Sequence, residues 1–341
     1  MSAPVARPGA GRPTGRRPST AGADPLEGLA HERVAVEPVA PYRLPRATPD
    51  GVMRRVDGVL QRVVVEQGEF VLLRAAQPRG GSVVLGAWAP DPALAAFALA
   101  RWRRTLGVDI DHRPFLRSAW NDQLLGPLVR ARPWLRPSVR YRPHEALMWA
   151  ITEQLIEYVE AAAIQRQLTW RAGARCARTG FFDAPTPQAI LDLAPARIES
   201  FGLSARRTLL LRETCRLLVR GLDLDAEDRL PAQRRLRSVP GLGAWTLACM
   251  ALRGQGDPDA SPSGDLGLLK SVGRLAAQER VELGAAPEGP ASEWESAGPR
   301  RVGDARDRRE RLPLATEQQV HDVMARYAPW RGYAAEHLLS A

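Results

Sequence analysis

Apolar positions fall first into short strand-like runs and later into helical spacing. Val59-Leu60, Val63-Val64-Val65, Phe70-Val71-Leu72-Leu73 and Val83-Val84-Leu85 are rich in strand formers and broken at Gly68, Gly80 and Gly81. Asp91-Pro92 then reads as N-cap and first helical residue. The helix it opens carries Leu94, Phe97, Leu99 and Trp102 and stops at Gly107. Strands followed by a helix predict a small α+β domain over about residues 42–115.

The remainder, 116–341, reads as helical. Pro143 opens a long helix running through Glu145 and Ile156 to about Leu168; Thr186-Pro187 and Ser204 mark further starts. Leu209, Leu210, Leu217 and Leu218 give the next helix its apolar face. Residues 1–40 are Ala, Pro, Gly and Arg with few large apolar side chains, and predict a disordered tail. Residues 277–313 mix Gly, Pro, Ser, Glu and Arg and predict a flexible loop between helices.

Composition adds three constraints. A 45% hydrophobic content over 341 residues suffices for a packed core without staples. Lys and Arg total 48 against 38 acidic residues, a net +10 that favours a polyanionic partner; because Lys270 is the only lysine, part of that excess reflects arginine bias. The three cysteines, Cys176, Cys215 and Cys249, match no disulfide, zinc or iron-sulfur spacing. With no secretory h-region and no run of 18 apolar residues, a cytoplasmic protein is expected, with no membrane partner.

The richest chemistry lies between Leu236 and Asp265. Val239-Pro-Gly-Leu-Gly243 breaks one short helix and starts another, whose buried side holds Leu247, Met250 and Ala251. Gly241 and Gly243 permit a tight turn and a close approach, and the first amides of the second helix point outward as an anion site. An ordinary helical hairpin with a Gly turn has the same outline; the doubled Gly after Val-Pro, followed by Trp-Thr, favours a DNA-phosphate clamp. A Gly/Pro/Ser loop then hands over to a helix beginning at Asp265. This residue reads as an N-cap, and the helix dipole favours its carboxylate form. A carboxylate beside a sugar also stabilises the positive charge that develops as a glycosidic bond breaks.

Val239-Pro-Gly-Leu-Gly-Ala-Trp-Thr246, Pro262-Ser-Gly-Asp265-Leu-Gly-Leu and Ala328-Pro-Trp-Arg-Gly-Tyr333 closely resemble the DNA-3-methyladenine glycosylase II family of helix-hairpin-helix glycosylases. Ile151-Thr-Glu-Gln-Leu155 resembles the family's wedge helix. The resemblance implies a TATA-binding-protein-like N-terminal domain followed by an all-α glycosylase domain. It implies that Asp265 is the catalytic residue acting on a base flipped from damaged duplex DNA. It further implies Gln154 and Leu155 as an intercalating wedge, and Trp245 and Trp330 as base-pocket walls suited to cationic alkylated purines. Gly241, Leu242, Gly243 and Thr246 would bind phosphate, while the carbonyls of Arg237, Val239 and Leu242 would hold a monovalent cation. No other cofactor is required, and a monomer is expected.

Lyase activity usually requires a lysine amine. Lys270 lies five positions beyond Asp265, and Trp245 stands where lyase-competent relatives carry their lysine, so hydrolysis alone is expected. The pattern departs from the family in three places. Glu153, Glu157 and Glu160 crowd the wedge helix, Cys249 replaces a pocket aromatic, and Gly264 replaces a second acid. Two alternatives therefore stay open: a non-catalytic DNA-binding or lesion-sensing protein, and a glycosylase for another class of damaged base.

Overall fold

The computed structural model describes residues 26–78, 81–278, 280–284 and 314–341. An antiparallel five-stranded sheet is followed by helices, so the fold class is α+β. The strands are β1 (Ala30–Val36), β2 (Met53–Val56), β3 (Val59–Glu66), β4 (Glu69–Ala76) and β5 (Val83–Ala89), in spatial order β1-β5-β4-β3-β2. Asp57-Gly58 and Gln67-Gly68 both have positive φ, the conformation of tight two-residue hairpin turns.

The expected tail is shorter than its composition implied. Residues 1–25 lie outside the described residues, but β1, inside the 1–40 segment, pairs along its length with β5. Its Val34 and Val36 join the sheet core while polar neighbours face outward. Alternating burial along one edge strand outweighs a polar average composition. Of the expected 277–313 loop, residues 285–313 lie outside the described residues.

Helix α1 (Pro92–Leu106) covers the sheet, capped by Asp91, whose side chain accepts from the Leu94 amide at 2.9 Å. The sheet cluster runs through Trp102 to Val108 and takes in Tyr141. Two further apolar clusters build the helical part. Helices α2 (Arg113–Ala119) and α3 (Gly126–Ala131) pack with the C-terminal helices. A second cluster joins α4 (Pro143–Glu153), α5 (Tyr158–Ala172), α6 (Pro187–Asp192), α7 (Pro195–Glu199) and α8 (Ala205–Val219) to the hairpin helices α9 (Leu230–Arg237) and α10 (Ala244–Gly254). The chain closes with α11 (Leu266–Ala277), α12 (Glu317–Ala325) and α13 (Arg331–Leu339).

The long helix expected from Pro143 to about Leu168 is two helices. α4 ends at Glu153, and Leu155 adopts a left-handed φ of 58° before α5 begins at Tyr158. No Gly or Pro marks this break. The Arg207 guanidinium, arriving from α8, donates to the carbonyls of Thr152 at 3.1 Å and Gln154 at 2.9 Å, supplying the end of α4 with partners.

Candidate active site

The hairpin turn hangs on its apolar residues. Leu236, Val239 and Leu242 are buried in the core, and the Leu242 amide donates to the Val239 carbonyl at 3.1 Å. Gly241 has a φ of 96°, and a Cβ there would press on Leu210 at 3.2 Å. A Cβ at Gly243 would meet nothing within 4 Å, so that face of the turn is open. Among the described residues, the amides of Gly243, Ala244 and Trp245 have no hydrogen-bond partner. They are the unpaired donors that a helix start leaves.

Two of the four residues expected to bind phosphate do other work. The Leu242 amide is taken by Val239, and its side chain is buried. Thr246 is buried, and its hydroxyl accepts from Gln154 Nε2 at 2.8 Å. The same Gln154 amide donates to the Gly241 carbonyl at 3.0 Å. Gln154 is therefore a brace between the α4 end and the hairpin, while Leu155, like Tyr158 and Val159 after it, is exposed. With 46% of its surface exposed, Leu155 is not the core leucine that an amphipathic helix would bury.

Asp265 is the N-cap of α11. Its Oδ1 accepts from the amides of Gly267 at 2.8 Å and Leu268 at 3.3 Å, and its Oδ2 accepts from Trp245 Nε1 at 3.3 Å. Among the described residues it makes no ion pair; it opens into a cleft of about 1780 Å³ shared with Trp245, Leu155 and the hairpin turn. That volume exceeds the roughly 300–1,000 Å³ of a small-molecule pocket and suits an extended partner. Arg46, Arg140, Arg206, Arg207, Arg237 and Lys270 contribute cations to its walls.

Trp330 is not at the cleft. Partly buried, it packs edge-on against Tyr333 at 5.2 Å and tilted against Phe115 at 6.4 Å, on the C-terminal core. A large ring beside two other aromatics gains more from that core than from an open wall. Its motif serves as scaffold instead. Arg331 pairs with both oxygens of Asp259 at 2.9 and 2.6 Å, and the Gly332 amide donates to the Pro258 carbonyl at 2.8 Å. These bonds anchor the Gly/Pro loop that delivers Asp265.

The acidic residues near the tip are mostly partnered. Glu153 accepts from Gln165 at 2.9 Å and lies 3.6 Å from Arg253, while Glu157 lies 3.6 Å from Lys270; Glu160 is exposed. Cys249 is buried behind the wall, where burial pushes its thiol pKa up. Sequence reasoning missed two carboxylates. Glu317, from the first turn of α12, lies 3.2–3.3 Å from where a Cβ at Gly264 would stand, so it occupies the space of the absent second acid. Glu336 of α13 lines the same cleft. Neither belongs to a motif near Asp265 in the chain.

No protein-family model matches the chain. It is 29% identical over 251 residues to a Mycobacterium tuberculosis protein described as a probable bifunctional transcriptional activator/DNA repair enzyme, covering 71% of this chain and 42% of that protein. It is 24% identical over 220 residues to DNA-3-methyladenine glycosylase 2 of Escherichia coli, covering 63% of each. The matched segments thus span less than two thirds of either relative. Among solved structures, a 3-methyladenine DNA glycosylase from Archaeoglobus fulgidus superposes with a TM-score of 0.67 at 18% identity, covering 90% of this chain and 97% of that one. These relatives bear the names of DNA repair enzymes and DNA-3-methyladenine glycosylases, and the solved one shares the fold of this chain. The cleft carries Asp265, Glu336 and Glu317 with Arg253, and Trp330 does not line it. Among the described residues, no helix is long and apolar enough to cross a membrane.

Proposed function

We propose that this protein is a monofunctional DNA glycosylase that flips alkylated purines of the 3-methyladenine and 7-methylguanine type out of duplex DNA and hydrolyses their N-glycosidic bond. One observation carries the reading: Asp265, fixed by two amides and the Trp245 indole, opens into the cleft that also holds the hairpin amides and the exposed tip Leu155. The relative from E. coli bears the matching name.

The hairpin amides of Gly243, Ala244 and Trp245 grip a backbone phosphate and set the position of the protein without reading sequence. Leu155 enters the stack where the flipped nucleotide was, and Gln154 and Arg207 hold the tip so that little order is lost on binding. Asp265 then stabilises the positive charge that grows on the sugar as the bond lengthens, and takes the proton of the attacking water. Trp245 offers a ring beside the carboxylate, and an electron-rich face suits a base that is already cationic. The Asp265 carboxylate is met by the Trp245 indole rather than by a lysine amine, and with no amine at that place the nucleophile is water. Among the described residues, the carbonyls of Arg237 and Leu242 accept no backbone hydrogen bond, which fits a monovalent cation there that would add positive charge beside the phosphate; Val239 offers its remaining lone pair.

Asp265→Asn decides the reading. Asparagine caps a helix as well as aspartate, so the fold should survive. Release of free 7-methylguanine and 3-methyladenine from methylated duplex should fall by at least about 10²-fold, as expected for loss of a charge-stabilising group. Equal release by the variant, or none by the wild type, overturns it. The second outcome, combined with salt-sensitive binding to duplex DNA, would favour the non-catalytic reading.

A further inference from the structure

Lys270, the single lysine, has no role in the mechanism above. It sits on α11 and lines the cleft together with Asp265. Its Nζ lies 3.6 Å from the carboxylate of Glu157, in the turn between α4 and α5 and two residues after Leu155. The pair thus joins the helix that Asp265 caps to the turn that carries Leu155. Glu157 is itself the N-cap of α5, yet its side chain accepts nothing from the amides of its own helix. Those amides are the favourable place for a carboxylate at a helix start, and this one is turned to Lys270 instead. Both side chains are exposed, 51% for Lys270 and 75% for Glu157, and among the described residues neither makes another ion pair or hydrogen bond. So exposed a pair adds little to stability, which makes a staple between α5 and α11 a weak reason for it.

We propose that Lys270 is a binding site for a phosphodiester of duplex DNA and that Glu157 is a built-in competitor for it. In the free protein the Glu157 carboxylate holds the place of a phosphate, and Lys270 changes partner when duplex enters the cleft. This rests on the reading above in placing DNA there. The cleft cations Arg46, Arg206 and Arg237 make no ion pair among the described residues. Arg140 and Arg253 are paired, but with the largely buried carboxylates of Asp50 and Glu153. Glu157 differs from both in being free to swing into solvent once Lys270 leaves it.

The exchange is driven by the polymer. A duplex phosphate carries condensed counterions, and a lysine that neutralises it releases them to solvent; a single carboxylate holds no such reserve. The exposed ion pair is weak and screened by salt, so it opens at small cost. That cost falls on every duplex alike, because a backbone contact carries no information about the base. Glu157 therefore weakens backbone binding in general and leaves discrimination to the groups that meet the base.

The experiment titrates an undamaged duplex into the full chain over a series of salt concentrations, for the wild type, Lys270→Gln, Glu157→Gln and the double variant. Lys270→Gln should lower the slope of log K against log salt by about 0.9, the share of one phosphate. Glu157→Gln should raise affinity about two- to fivefold, the strength of an exposed ion pair, and most of that gain should vanish when Lys270 is already glutamine. Urea midpoints should hardly move, since both side chains are exposed. An unchanged slope in Lys270→Gln overturns the phosphate site. An equal gain from Glu157→Gln in both backgrounds overturns the competitor, because the carboxylate would then simply repel DNA. Large shifts in the urea midpoint with binding unaltered would mark a staple and overturn both parts. Release of 7-methylguanine scores the glycosylase separately: release with an unchanged slope removes this proposal and leaves that reading, while a wild type that binds no duplex removes both.

Discussion

Leu155 combines a φ of 58° with 46% exposure, two costs to the folded chain. A left-handed conformation costs an L-residue roughly 1–2 kcal/mol, and glycine is free of it. Leu155→Gly should therefore raise stability by about 0.5–1 kcal/mol, part of the relief being offset by the greater freedom of glycine in the unfolded chain. The same change removes the side chain proposed as the wedge, so excision from duplex should drop while the urea midpoint rises. A fall in both would mean that the leucine packs in the fold and is no tip. Asp265 shows the opposite economy, since a single side chain both caps α11 and faces the cleft. Its position was legible because an N-cap is a local pattern. That Glu336 lines the same cleft was not, because α13 and α11 meet only in the folded chain.

At the scale of elements, the hairpin and the broken helix differ in how they are encoded. The turn between α9 and α10 follows from Gly241 with its φ of 96° and from apolar Val239 and Leu242, all within a few residues. Gly243 adds nothing to that turn, having an ordinary φ of −77° and open space where a Cβ would go. Gly243→Ala should cost only about 1 kcal/mol, the penalty for alanine at an N-cap. It should nevertheless weaken duplex binding by at least about tenfold, or 1.4 kcal/mol, because the new methyl stands between the amides and a phosphate. Unchanged affinity in a titration at fixed salt would mean that the amides do not meet the backbone. The break at 154–157 has no such local cause. Glu153-Gln-Leu-Ile-Glu-Tyr-Val-Glu160 is free of Gly and Pro, and the turn is held from outside by Arg207 and by the Gln154 amide on the hairpin.

For the molecule as a whole, the sheet and the helices are joined by buried charge. Arg62 on β3 reaches Glu145 on α4 at 2.6 Å and Asp183 at 3.3 Å, and Arg142 meets Asp183 at 3.0 Å. Asp50 accepts from Arg140 at 2.5 Å and from the Trp149 indole at 2.9 Å. These contacts fix the segment around 48–53 beside the helices that line the cleft. Removing one member of a buried pair strands its partner, so Glu145→Gln should destabilise the protein by about 3 kcal/mol in urea unfolding. Burial alone would raise the Glu145 carboxyl, but Arg62 and Arg142 outweigh it and hold the group below its ordinary value of 4.5. The stabilisation is complete above that value and is lost as pH falls below it toward the depressed folded value. The wild type should accordingly lose more stability than Glu145→Gln on acidification below 4.5, and parallel losses would show that the pair is not charged in the fold.

The sequence by itself determined the strand runs of the sheet, the start of α1, the glycine turn of the hairpin and the Asp265 cap. Each rests on propensities and hydrogen bonds that act over a single turn or strand. Only the tertiary structure decided that α4 breaks before Leu155, that Trp330 packs against the C-terminal core, that Gln154 and Thr246 bond each other, and that Glu336 lines the same cleft as Asp265. Those outcomes depend on which distant groups come to share one desolvated space. Burial, charge and hydrogen-bond partners within it follow from packing that no local window of residues contains.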